Sequence, residues 1–134
     1  MRTELGVNPE SGLPAMAHKL KRIQDAVTER VQAHLDAFAQ TEIMTAVGVT
    51  YIMYDDIKSA CGYDRSKNPV FALEGEYCAM ARDNTWEAAN AYMEEVLTGQ
   101  RQLPSLDDVD AVWNDLFPHL PVLAWPKGSR GHVA

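Results

Sequence analysis

The chain has 134 residues, 46% of them apolar, and a formal net charge of −7. That is the length of one domain with enough apolar mass for its own core, which excludes wholesale disorder. The charge is uneven, with residues 1–41 neutral, 42–126 at −9 and 127–134 at +2. An acidic middle repels phosphate and argues against nucleic-acid binding there; it leaves a basic protein partner open, beside the simpler reading of solvated helix faces.

The N-terminus Met1-Arg2-Thr3-Glu4 lacks the apolar run of a secretory signal, and no stretch reaches the length of a membrane span. Cys61 and Cys78 are therefore expected as reduced, buried thiols. Residues 1–13 hold Gly6, Asn8-Pro9 and Ser11-Gly12, the signals of an irregular arm. Pro14 suits a first helical turn.

Met16, Leu20, Ile23, Val27, Val31, Leu35 and Phe38 then recur at steps of three and four, with His18, Arg22, Asp25, Glu29, Gln32 and Asp36 on the opposite face. This predicts an amphipathic helix of about six turns. Its stripe either packs on the chain's own core or forms a seam with the same helix of other subunits. The repeat starts near 3.5 residues and then takes steps of four, a stutter-like slip. Arg30 and His34 at the stripe's edge argue against a long dry coiled coil.

Residues 42–61 are ambiguous. Val47-Gly48-Val49-Thr50-Tyr51-Ile52 is β-branched and broken by glycine, so a break is expected near 48–50. A helix over 54–61 would follow, with Gly62 as a left-handed cap. Lys67-Asn68-Pro69 marks a loop, and a second long helix over 70–97 is apolar over a wide arc. Gly75 lies inside it at a cost of about 1 kcal/mol relative to alanine, which the close approach of another backbone would explain. Gly99 ends it. Pro104-Ser105 opens a short helix that Pro118 stops, followed by an extended strap through Pro126 and a mobile tail over 127–134. The predicted fold is all-α: one small helical domain over 14–126 with two long helices, two or three short ones and an extended C-terminal strap.

No motif carries a reaction. Asp107, Asp108 and Asp110 lack the glycine and distal glutamate of a calcium loop and fit the positive end of a helix. His18, His34, His119 and His132 have no zinc-like spacing. Asp55 and Asp56, as helix neighbours, point about 100° apart. No phosphate-binding loop, nucleophile elbow or Cys-His pair is present. The expectation is therefore a protein with no catalytic, cofactor-binding or metal-binding residues. Arg82, Trp86, Trp113 and Trp125 are the candidate partner-binding residues, because Arg and Trp concentrate in interface hot spots. For Arg82 the alternative is a structural ion pair with Glu76 or another acid. Trp125 either folds back onto the helices or is offered to a partner.

The segments Tyr54–Cys61, Pro69–Gly75, Ala81–Trp86 and Leu120–Pro126, read as Tyr-Asp-x-Ile-x-Ser-Ala-Cys, Pro-x-Phe-x-x-Glu-Gly, Ala-Arg-Asp-x-Thr-Trp and Leu-Pro-x-Leu-x-Trp-Pro, follow a helix over 31–41. In this order they resemble small proteins encoded in the tail regions of bacteriophages and prophages, over about residues 31–126. Residues 42–53 stand as an insertion in that pattern. The resemblance implies a non-enzymatic protein that binds a tail-fibre or baseplate-region protein, as a virion accessory subunit or an assembly chaperone. It places the protein in the host cytoplasm during assembly or in the virion tail, and implies no active-site residues. Because fibre proteins are commonly trimeric, a homo-trimer through the Met16–Phe38 helix is the corresponding oligomer. The rival reading is a phage-encoded acidic inhibitor of a host enzyme or defence system.

Overall fold

Helix α1 spans Gly12–Ala39, with its apolar positions at the predicted steps of three and four. In the computed structural model, which describes residues 12–133, the chain continues as strands β1 (Glu42–Met44) and β2 (Thr50–Ile52) and helices α2 (Ile57–Cys61), α3 (Pro69–Leu97) and α4 (Val109–Leu116). A 3-10 turn over Phe117–His119 follows α4. The fold is mostly helical; its sheet among the described residues is the two-stranded antiparallel β1–β2 pair. The expected N-terminal arm lies outside the described residues except for Gly12 and Leu13, which already belong to α1.

The described residues divide into two compact units. Among the described residues one comprises 12–30 and 90–119, the other 31–89 and 120–133.

In the first unit Ile23, Val27, Tyr92, Val112 and Leu116 are buried. Asp108, not Ser105, caps α4, its carboxylate accepting from the Asp110 and Ala111 amides. Ser105 instead accepts from the Asp107 and Asp108 amides one turn earlier. The acidic group thus divides into a cap and two ion pairs, Asp107 with Lys19 and Asp110 with Arg30. Tyr92 donates to Asp115, and Arg101 pairs with Glu95 and lies over the Tyr92 ring.

In the second unit Val31, Leu35, Ala39, Ile57, Ala60, Cys78, Ala81 and Ala89 are buried. Across both units the middle of the α1 stripe is thus covered by the chain itself, while Met16 at its start remains exposed. Asp36, placed by periodicity on the polar face, accepts from the Ile57 amide and helps start α2. Asp56 caps that helix, which therefore begins at Ile57 and not at Tyr54. Gly62 is right-handed at φ −65°, so the expected left-handed cap is corrected: its amide is shared between the Lys58 carbonyl, an α-type bond, and the Ser59 carbonyl, a tighter 3-10-type bond, and α2 ends there. Asn68 caps α3, with Pro69 at its first position. Gly75 explains itself: a Cβ there would sit 2.4 Å from the Asp64 amide nitrogen and 2.6 Å from the Tyr63 carbonyl carbon.

Residues 120–132 form an irregular strap. The part expected to be a mobile tail carries Ser129 and Arg130, both hydrogen-bonded to Glu74.

Candidate functional site

The segment the helical pattern does not explain is a β-hairpin over residues 42–52. The register pairs Glu42 with Ile52, Ile43 with Tyr51 and Met44 with Thr50. Opposed residues share a face, so Glu42, Met44, Thr50 and Ile52 lie on one side and Ile43 and Tyr51 on the other. The β-branched run disfavoured helix, and Gly48 supplies the turn at φ +84°. Gly48 donates to the Thr45 carbonyl, and the Thr45 amide to the Val49 carbonyl. At the base, the Met53 and Tyr54 amides donate to the Thr41 and Ala39 carbonyls, anchoring the hairpin to the end of α1.

The hairpin exposes its apolar side chains. Met44 is 69% exposed, Val47 85% and Val49 57%, and Tyr51 and Ile52 are also well exposed. Isolated two-stranded hairpins are marginal in water, and unpaired strand edges invite another chain.

The four residues singled out by composition do not form one cluster. Arg82, half-buried on α3, donates to its own neighbour Asp83 at 3.0 Å, so its ion pair is local and not with Glu76. Trp86 is half-buried on α3, and the Trp113 ring lies against Phe117 in the first unit. Trp125 is folded back and 6% exposed, stacked on Phe38 at 4.3 Å, with its indole N–H donating to Thr41 Oγ1 at 2.8 Å.

What composition missed is Glu74. It is fully buried, yet it accepts from Tyr54 Oη at 2.7 Å, the Arg130 amide at 2.8 Å, Arg130 Nη2 at 2.8 Å and Ser129 Oγ at 3.3 Å. The Arg130 guanidinium also lies 4.7 Å from the Phe71 ring centre and 5.5 Å from that of Tyr54. Burial alone would push the Glu74 carboxyl up. Hydrogen bonds from Arg130 and Tyr54 outweigh it and hold the group below the usual glutamate range. Burial, then the bond to Glu74, pushes the Tyr54 hydroxyl far up, so it stays protonated and donating. A signal was present: Glu74 stands three residues after Phe71 and four before Cys78, on the buried side of α3.

No protein-family model, curated protein or solved structure matches this chain.

Burial pushes the Cys78 thiol up to about 12 and raises that of Cys61, which makes both poor nucleophiles; both are free thiols. No three His, Cys, Asp or Glu among the described residues are grouped to hold a metal ion. A groove of about 740 Å³ in the first unit is lined by Met16, Leu20, Val96, Leu103, Pro104 and Leu106, and its cations Lys19 and Arg101 are already paired with Asp107 and Glu95. No helix among the described residues is long and apolar enough to cross a membrane.

Proposed function

We propose that the chain is a non-enzymatic, phage tail-associated protein that binds a tail-fibre or baseplate-region protein, as a virion accessory subunit or an assembly chaperone. The observation that carries the binding part is the exposed apolar hairpin, with Met44 on β1 and Val47 and Val49 in the turn exposed, and with strands whose outer edges pair with nothing among the described residues. Strand addition at such an edge supplies backbone hydrogen bonds, and the side chains on either face supply selectivity. The ordered motifs from Tyr54 to Pro126 support the phage assignment by resemblance. The hairpin occupies the segment inserted into that pattern, where a partner-specific element belongs.

A trimer through the α1 stripe has only its Met16 end to work with, because Ile23, Val27, Val31 and Leu35 are each at most 3% exposed. The hairpin is the better-supplied contact.

The test is co-expression with the tail-fibre and baseplate proteins of the phage or prophage that encodes the chain. The wild type co-purifies with one of them, and the Met44→Lys/Val47→Lys variant, equally folded, does not. Equal recovery of both forms would remove the hairpin from the function. Recovery of neither would remove the tail assignment.

A further inference from the structure

Residues 124–132 are built as a bound peptide is built. Their internal bonds fold them into a self-contained loop: the Ser129 amide donates to the Pro126 carbonyl and the His132 amide to the Ser129 carbonyl. The Gly131 amide donates to Ser129 Oγ, and His132 Nδ1 lies 3.1 Å from the Trp125 carbonyl oxygen. Gly131 lies flat on the indole, where a Cβ would come within 2.3 Å of Trp125 Cδ1. No backbone–backbone bond joins this loop to the rest of the chain among the described residues.

Every outward hydrogen bond ends on a side chain. Trp125 Nε1 donates to Thr41 Oγ1, the Ala124 amide to Tyr77 Oη, and Ser129 and Arg130 to the Glu74 carboxylate. Two anchors hold the loop, an indole on Phe38 and a guanidinium five residues later on a buried carboxylate. Side-chain pockets receiving a loop that keeps its own shape describe a receptor and a preorganised ligand. A structural strand would instead share backbone bonds with its neighbours.

We propose that Glu74, Phe38, Tyr54, Phe71 and Tyr77 form a peptide-docking site whose resident ligand is the chain's own C-terminal loop, and that this loop is displaceable by the same segment of a second copy. The second copy is the fitting occupant because its loop satisfies every contact without a new surface, the low-cost route of segment exchange. The proposal uses none of the hairpin residues and stands whatever the tail partner is.

The test uses the full chain and a dye-labelled synthetic peptide of residues 120–133, followed by fluorescence anisotropy. In the wild type the tethered loop competes at high effective concentration, so the peptide binds weakly. Arg130→Ala weakens the resident loop and leaves Glu74 available, so the peptide binds at least about tenfold more tightly. Peptides carrying Trp125→Ala or Arg130→Ala do not bind. If the Arg130→Ala chain keeps its helical circular dichroism and binds the peptide no better than the wild type, or if the altered peptides bind equally, the proposal is overturned. Should that variant not fold, native-state hydrogen exchange of the wild type decides. The Ala124 and Arg130 amides are expected to exchange together while residues 74–89 stay protected; exchange only through global unfolding overturns the proposal.

Discussion

Arg130 Nη2 lies 2.8 Å from Glu74 Oε1, and the carboxylate it meets is fully buried, 56 residues earlier in the chain. Further bonds from the Arg130 amide, Arg130 Nε, Ser129 Oγ and Tyr54 Oη surround the acceptor. A buried carboxylate with these partners is tolerated, and one stripped of them is not. Arg130→Ala is therefore expected to cost about 3 kcal/mol in urea unfolding, at the low end for a broken buried pair because the arginine is partly exposed. The double variant Glu74→Gln/Arg130→Met removes the unpaired charge and is expected to recover about half of that loss. A double variant no more stable than Arg130→Ala would show that the charge is not the source of the cost.

The same carboxylate sets a pH dependence. Its folded-state affinity for protons lies below the unfolded value near 4.3, so the unfolded chain binds the proton more readily. The contribution is fully present above that unfolded value and disappears as pH falls through the lower folded one. Thermal midpoints measured from pH 6 to pH 3 should drop for the wild type, and Glu74→Gln should flatten part of that drop. Parallel curves for the two proteins would contradict the assignment.

Gly75 gives a test with an unusual sign. By helix propensity alone, alanine at an interior position gains about 1 kcal/mol over glycine. Here the added methyl would meet backbone atoms of Tyr63 and Asp64 closer than 3 Å. Gly75→Ala is thus expected to destabilise by about 2 kcal/mol or more, the range of overpacked sites. Chemical denaturation showing a gain in stability would mean that the Tyr63–Asp64 turn does not approach α3 this closely.

The hairpin is expected to separate stability from binding. Met44 and Val47 are mostly solvent-exposed, so lysine at each should shift unfolding by no more than about 0.5 kcal/mol. Trp125→Ala should do the opposite, removing a buried ring and its bond to Thr41 at a cost of about 3 kcal/mol in the same assay.

The helices were legible because their cause is local. The three-and-four spacing over residues 16–38 places α1, and the Gly75 anomaly pointed to a backbone contact that the structure contains. The β-branched run over 47–52 announced a break from helix, but strands of three residues leave too short an alternation to read. Gly62 misled because glycine after a helix favours a left-handed cap without requiring one. The Glu74–Arg130 pair was not legible as a pair: nothing in local pattern links positions 56 apart, and a glutamate on an apolar helix face reads as noise until its partner is seen. The stretch after Pro126 reads as a mobile terminus, and only the buried carboxylate explains why that end is bound.

The most direct measurement is the amount of each tail-fibre and baseplate protein recovered with the tagged chain on co-expression, wild type beside Met44→Lys/Val47→Lys, with circular dichroism confirming that both are folded. The account requires near-stoichiometric recovery of one such protein with the wild type and its loss with the variant. Undiminished recovery with the lysine-bearing hairpin would contradict it.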